Sequence, residues 1–253
     1  MARLHHVVLL LPLLSLLFLG GMRDRSQVSR RGPAGRLTLW AWERPEDLRF
    51  VSADVGVAYL AGSIYLEQQP ALHSRLQPLH VGEHTPVTAV IRIEIDQKTP
   101  LRFPAEYRNR VAELALQAAA APRVSAVQID FDATASQRDF YRDLIHDLRQ
   151  RLPPSMPLSI TALGSWCLGD DWIAGLPIDD AVPMLFRMGA DRSYILRSLA
   201  DGRDFKEPLC RQSVGISTDE PWPEALLSRR VYVFNNRAWD RNSFEMVERK
   251  LQP

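Results

Sequence analysis

An excess of charge of either sign is missing from this sequence, in which 31 Lys and Arg stand against 30 Asp and Glu over 253 residues. No global field then draws the chain toward nucleic acid, and no nucleic-acid partner is expected. Glycine-rich phosphate loops are missing as well. No apolar run is followed by G-x-G-x-x-G or G-x-x-x-x-G-K-[ST], which removes the usual nucleotide-binding reading of an αβ chain.

Cysteine is scarce. Cys167 falls at the end of one predicted strand and Cys210 before the start of another, which places the two at opposite faces of a barrel. Strand ends lie roughly 17 Å apart, beyond the about 7 Å that a disulfide spans between Cα atoms, so two unpaired thiols are expected. A nucleophilic role for Cys167 would need a nearby histidine, and His73, His80, His84 and His146 are the histidines left after the first residues. The spacing of His73, His80 and His84 matches no strong zinc signature. No cofactor and no metal are expected.

Long hydrophobic runs are limited to Val7–Gly21, interrupted by Pro12 and Ser15. That is shorter than the roughly 20 apolar residues of a spanning helix and reads as the core of a signal peptide over residues 1–21. Leu19 and Gly21 form a poor small-x-small cleavage site, and no Cys follows to accept a lipid. An uncleaved anchor therefore stays open beside the cleaved form. Arg23, Arg25, Arg30 and Arg31 after the run run against the positive-inside rule. The expected location is periplasmic or secreted, with membrane attachment through residues 1–21 as the alternative. Residues 22–36, rich in Arg, Ser, Gly and Pro, read as a linker.

What remains, residues 37–253, alternates apolar runs with polar or helical stretches. The runs are Leu37–Trp42, Val55–Ile64, Val87–Ile95, Val124–Phe131, Leu158–Leu163, Ala181–Met188, Val214–Ser217 and Val231–Phe234. Eight strands alternating with helices predict a single α/β domain, a compact (β/α)8 TIM-type barrel, with an incomplete barrel or an open doubly wound sheet as the alternative. Helices are expected over Pro104–Ala121 and Ser136–Leu152, and weaker ones over Asp170–Ala174, Ser193–Leu199, Trp222–Ser228 and Ser243–Leu251. Glu67–Thr85 carries three Pro and no helical period, so it is expected as an irregular excursion replacing the helix after strand 2.

Successive side chains of a strand face opposite sides. Ile91, Ile93 and Ile95 then meet helices while Arg92, Glu94 and Asp96 face inward, and Val127, Ile129 and Phe131 likewise oppose Gln128, Asp130 and Asp132. Carboxylates aimed inward from two adjacent strands stand out, because barrel interiors are usually filled with branched apolar residues and active sites gather at C-terminal strand ends. Asp130, Asp132 and Glu94 are the candidate catalytic residues. Trp42, Glu43, Trp166, Arg187, Asn235, Asn236 and Trp239 are the candidate substrate-binding residues, with Ser165, Asp219, Glu220 and Arg237 at the same expected face. Carboxylates for acid–base work, amides for hydroxyl groups and tryptophans for ring faces suit a saccharide. The structural alternative is that Asp130 and Asp132 merely pair with Arg92 and Arg187 inside the barrel.

Trp40-Ala-Trp-Glu-Arg-Pro-Glu-Asp-Leu48, Val127-Gln-Ile-Asp-Phe-Asp-Ala133 and Val182-Pro-Met-Leu-Phe-Arg-Met-Gly189 resemble segments of an uncharacterised bacterial family, domain of unknown function 3142. The resemblance runs from about Leu37 to the C-terminus and implies a glycosidase-like barrel, with no activity attached to it. A more distant similarity is to chitinase-like barrels, whose fourth strand ends in D-x-D-x-E with the Glu as proton donor. In Asp130-Phe-Asp132-Ala-Thr134 that place is held by Thr134, and Met184-Leu-Phe-Arg187 replaces the M-x-Y-D run of the sixth strand. A threonine hydroxyl does not act as a general acid near neutral pH. The expected function is an extracytoplasmic glycoside-hydrolase-like protein acting on an unidentified glycan, and the alternative is a non-catalytic binder of carbohydrate or another envelope component.

Overall fold

The computed structural model describes residues 35–95 and 103–252. The expected signal or anchor, most of the expected linker and Asp96 lie outside them. In chain order the strands are β1 (Leu37–Ala41), β2 (Glu46–Leu48), β3 (Gly56–Leu66), β4 (Ala71–Ser74), β5 (Leu79–Val81), β6 (Val87–Ile95), β7 (Val124–Asp130), β8 (Leu158–Leu163), β9 (Asp180–Met184), β10 (Ser213–Ser217) and β11 (Arg230–Phe234). The helices are α1 (Ala105–Ala119), α2 (Arg138–Arg151), α3 (Gly164–Leu168), α4 (Arg192–Ala200) and α5 (Arg241–Leu251).

Eight parallel strands follow one another around the ring in the order β1, β11, β10, β9, β8, β7, β6, β3, and β3 pairs back onto β1. The sheet has no free edge along this ring, which makes it a TIM-type barrel and removes the open-sheet alternative. Each of the eight predicted runs holds one barrel strand.

The connection after β3 contains no helix, as expected, but it is not irregular. β4 pairs antiparallel with the second half of β3, and β5 pairs parallel with β2. The cause is length. β3 and β6 stay paired, with a one-residue register shift between Leu60 and Gly62, as far as Leu66 and Ile95, well past the point where β1 and β7 have ended, so the exposed edge of this overhang recruits β4. Gly62 makes the close pairing fit, since a Cβ there would lie 2.8 Å from the His73 carbonyl oxygen.

The outer core lies between strands and helices. Ile91, Ile93, Ile129 and Phe131 sit in it with Val111 and Ala115 of α1 and Phe140, Tyr141, Leu144, Ile145 and Leu148 of α2. Those α2 positions repeat every three to four residues and form one apolar stripe. Arg108 of α1 adds ion pairs to Asp147 (2.8 Å) and Asp143 (2.9 Å) of α2. α5 starts at Asp240, whose carboxylate accepts from the Ser243 amide at 2.7 Å while the Ser243 hydroxyl accepts from the Asp240 amide at 3.1 Å. Two expected helices are absent as such. Asp170–Ala174 forms turns, because the helical turn comes earlier as α3, and Trp222–Ser228 holds only a 3-10 turn over Glu224–Leu226 after Pro221 and Pro223.

The expectation of two unpaired thiols is corrected: Cys167 and Cys210 form a disulfide, with Cα atoms 5.8 Å apart. Strand ends were the wrong reference points. α3 turns away from the end of β8 at once, and residues before β10 run alongside it, with the Lys206 amide donating to the Cys167 carbonyl at 2.8 Å. Both sulfurs thus meet in the outer layer, where both cysteines are fully buried. No helix among the described residues is long and apolar enough to cross a membrane.

Candidate functional site

Inside the barrel the side-chain alternation produces a second, smaller apolar cluster of Trp40, Ala58, Val90, Val182, Tyr232 and Phe234, with Trp42, Met184 and Phe186 against it. Trp40 sits near its centre. Its indole N–H donates to Gln128 at 2.8 Å, and its ring packs on Tyr232 at 5.2 Å and Phe186 at 6.1 Å. The ring fits because β10 offers Gly215 beneath it; a Cβ there would stand 2.8 Å from the indole.

Above this floor, at the C-terminal strand ends, opens a cavity of about 390 Å³. One wall is aromatic: Trp40, Trp42, Phe186 and Phe234, with the Phe186 and Phe234 rings stacked at 5.7 Å and Trp42 set edge-on to Phe234 at 5.9 Å. The opposite wall is polar and carries Arg92, Asp130, Asp132, Thr161 and Ser165. The volume lies within the ~300–1,000 Å³ of small-molecule sites, and an apolar lining with a few convergent polar groups is their usual make-up.

Asp130 is the most constrained of these groups. It ends β7 directly opposite Arg92 of β6, which donates to it at 2.7 Å, and Thr161 of β8 donates to its other oxygen at 2.7 Å. The Asp130 side chain is only 3% exposed. Burial works against the charge of Arg92, yet Asp130, Asp132 and Glu94 around it outweigh that and hold its pKa above the ordinary value. The structural alternative is therefore realised for Asp130 and Arg92.

Asp132 differs. Two residues further on, it stands at the rim with its side chain open to solvent. The packed mouth of the barrel still displaces water from beneath it, and this desolvation, with the charge of Asp130 added, raises its pKa against the opposing pull of Arg92. No ion pair to Arg187 forms among the described residues.

The remaining candidates divide. Trp42 and Arg187 line the cavity with Asp130 and Asp132. Glu94 does not, because it lies on the β3–β6 overhang opposite Tyr65 and reaches the site only by accepting from Arg92 at 3.1 Å. Glu43 accepts from the Leu76 and Gln77 amides and ties down the excursion. Trp166 is buried in the outer core, edge-on to Trp172 at 4.8 Å. Trp239 is buried too, its indole donating to the Trp40 carbonyl at 2.9 Å and its amide to Glu46 at 2.8 Å. Asn235 accepts from Thr218 at 2.7 Å and Asn236 donates to Asp219 at 3.0 Å, both outside the cavity lining. Thr134 precedes the turn into α2, its amide bonded to Gln137 at 2.8 Å.

Sequence reasoning missed Trp40, Thr161, Phe186 and Phe234 as site residues. The signal was present, since the alternation applied to β6 and β7 also puts Trp40 with Trp42 on one face of β1 and Tyr232 with Phe234 on one face of β11. Among the described residues no group of three or more His, Cys, Asp or Glu is placed to hold a metal ion.

Comparison with known proteins adds three findings. Residues 83–184, which carry β6 to β9 and hence Arg92, Asp130, Asp132 and Thr161, match the model of the domain of unknown function 3142 family. No curated protein matches. Among solved structures, the crystal structure of the Bacillus cereus spore cortex-lytic enzyme SleL is similar at 17% sequence identity and a TM-score of 0.48, over 74% of this chain and 51% of that one. The chain thus spans about half the length of that structure.

Proposed function

Starting from a barrel whose central residues match a family of unknown function, we propose that this protein cleaves a glycosidic bond outside the cytoplasm, with Asp132 as proton donor. The observation that carries the reading is the placement of the Asp132 carboxyl across one cavity from an aromatic wall, and its raised pKa agrees with a proton donor. A general acid must hold its proton near the working pH, and desolvation of a carboxyl is the usual means. The sugar ring stacks on Trp42, the partly exposed ring of the aromatic wall. Asp132 gives its proton to the bridging oxygen as the anomeric C–O bond breaks, water adds its hydroxyl to the anomeric carbon, and the proton released returns to solvent, from which Asp132 is reprotonated. Asp130, fixed by Arg92 and Thr161, orients the polar wall and holds negative charge beside the developing cation.

The extracytoplasmic placement draws on the apolar run at Val7–Gly21 and on the Cys167–Cys210 disulfide, a bond that persists in oxidising compartments. A second reading, a carbohydrate-binding protein without turnover, is favoured by one observation. Asp130 has both oxygens engaged by Arg92 and Thr161, so it is not free to act beside Asp132 as a base or nucleophile.

The test is a glycan-array screen followed by hydrolysis assays on hits, with wild type and Asp132→Asn. Binding by both, with turnover in wild type that falls about 10²- to 10⁴-fold in the variant, is the expected outcome. Binding without turnover in wild type selects the second reading, and no binding to any glycan refutes both.

A further inference from the structure

The arginines around the cavity mouth are nearly all engaged. Arg92 holds Asp130 and Glu94, Arg192 holds Glu220, Arg75 donates to the Trp42 and Gln77 carbonyls, and Arg44 donates to the Asn235 carbonyl. Arg187 is different. Its guanidinium has no hydrogen bond or ion pair among the described residues, it is exposed, and it lies 5.1 Å over the Phe234 ring on the aromatic side of the cavity. Asp219 is near enough to feel its charge, but that carboxylate is engaged by Ser217 and Asn236.

The backbone at Arg187 is also unusual. Its φ of 52° lies in the left-handed region that a non-glycine residue adopts at a cost, and its amide is pinned to Glu220 at 2.9 Å, which Arg192 in turn holds in place. Arg123 is the other described non-glycine residue with positive φ, and its guanidinium donates to the Gly82 and Glu83 carbonyls. At Arg187 the same strain instead delivers an unoccupied cation to the edge of the stacking surface.

We propose that Arg187 is an anion handle and that the saccharide taken by this cavity carries a carboxylate beside the ring that stacks on Trp42. This rests on the saccharide reading above and narrows its substrate class to acidic glycans. A carboxylate matches the planar guanidinium fork with two parallel hydrogen bonds. A phosphate dianion fits less well, because Asp132 and Asp191 line the same mouth and repel the second charge. Arg187 stands on the β9 side of the cavity and Asp132 on the β7 side, so a carboxylate held at Arg187 sets the direction of the saccharide chain across the cavity.

The test measures dissociation constants by titration calorimetry for a uronate-bearing oligosaccharide, a neutral oligosaccharide of equal length and a sugar phosphate. Wild type, Arg187→Lys and Arg187→Gly are compared, the glycine variant keeping the left-handed backbone accessible. Wild type is expected to bind the uronate about 10- to 100-fold more tightly than the neutral sugar, the range of one charged hydrogen-bonded contact, with the preference falling as salt rises. Arg187→Gly brings the uronate down to the neutral level and Arg187→Lys keeps part of the preference. Equal affinity for uronate and neutral sugar in wild type, or a uronate preference surviving in Arg187→Gly, overturns the handle while leaving the saccharide site intact. Preference for the sugar phosphate overturns the carboxylate assignment. Failure of wild type to bind any of the three, in a protein whose circular dichroism and urea midpoint are native, removes both the handle and the reading on which it rests.

Discussion

Replacing Cys167 and Cys210 together by Ala tests the outer layer of the barrel directly. The bond closes a loop with a sequence separation of 43, and fixing that loop in the unfolded chain removes conformational entropy worth about 4 kcal/mol at 25 °C in the loop-closure account. For a domain of this size each kcal/mol moves Tm by about 2–4 °C, so the double variant is expected to melt about 8–16 °C lower. The readout is differential scanning calorimetry of both proteins, with a thiol titration of the unreduced wild type in denaturant. Because both cysteines are fully buried, the native protein should resist reductant until it unfolds. Two titratable thiols per denatured chain would show that the bond is absent, and a melting shift under about 2 °C would refute the entropy argument.

Four further outcomes follow from the site and its supports. The pH dependence of turnover should show a limb that falls as pH rises through the elevated Asp132 pKa, since the donor must be protonated, and Asp132→Asn should abolish that limb. Arg92→Met leaves Asp130 buried with Thr161 as its sole side-chain partner and should cost about 3 kcal/mol in urea unfolding, part of which the added change Asp130→Asn restores. Burial raises the pKa of Asp180 to about 6 from 3.8 despite its 3.1 Å pairing with Arg230. A carboxyl with a raised folded pKa stabilises the fold below its unfolded pKa and loses that contribution as pH climbs through the folded one. Wild type should therefore lose up to about 3 kcal/mol relative to Asp180→Asn between pH 4 and 7, and parallel urea curves across that range would refute it. Gly215→Ala drives a methyl against the Trp40 ring and should cost about 1–3 kcal/mol while shifting the tryptophan emission of the cavity floor.

The barrel was legible because each strand is short, apolar and set off by turns or helices, so eight runs could be counted before any contact was known. β2, β4 and β5 were not, because they are three or four residues long: β4 pairs on an edge that exists only once β3 overhangs the ring, and β2 and β5 pair only with each other, across some thirty residues of sequence. Face alternation put Asp130 and Asp132 on the inner side, where the structure also has them. It could not tell that Arg92 and Thr161 would engage one and leave the other at the rim, since that depends on register between strands distant in sequence. Trp166 and Trp239 looked like ligand contacts because each stands near a strand end, yet position along a strand axis says nothing about which side of the wall a following residue takes. The cysteine pair was misjudged for the same reason, α3 having turned outward at Gly164.

Closure between β1 and β11 sets the order in which the molecule can be made. Leu37 pairs with Val231, Trp239 locks onto the Trp40 carbonyl, and Phe234 completes the aromatic wall that Trp42 begins. As the chain is synthesised from its N-terminus, β1 keeps an unpaired edge until nearly all of the remaining sequence has emerged, and the two halves of the aromatic wall meet last. Ring closure is a non-local, late and slow contact. A chain cut short before Phe234 would thus hold most of its helices and carboxylates and still lack the wall that completes the cavity.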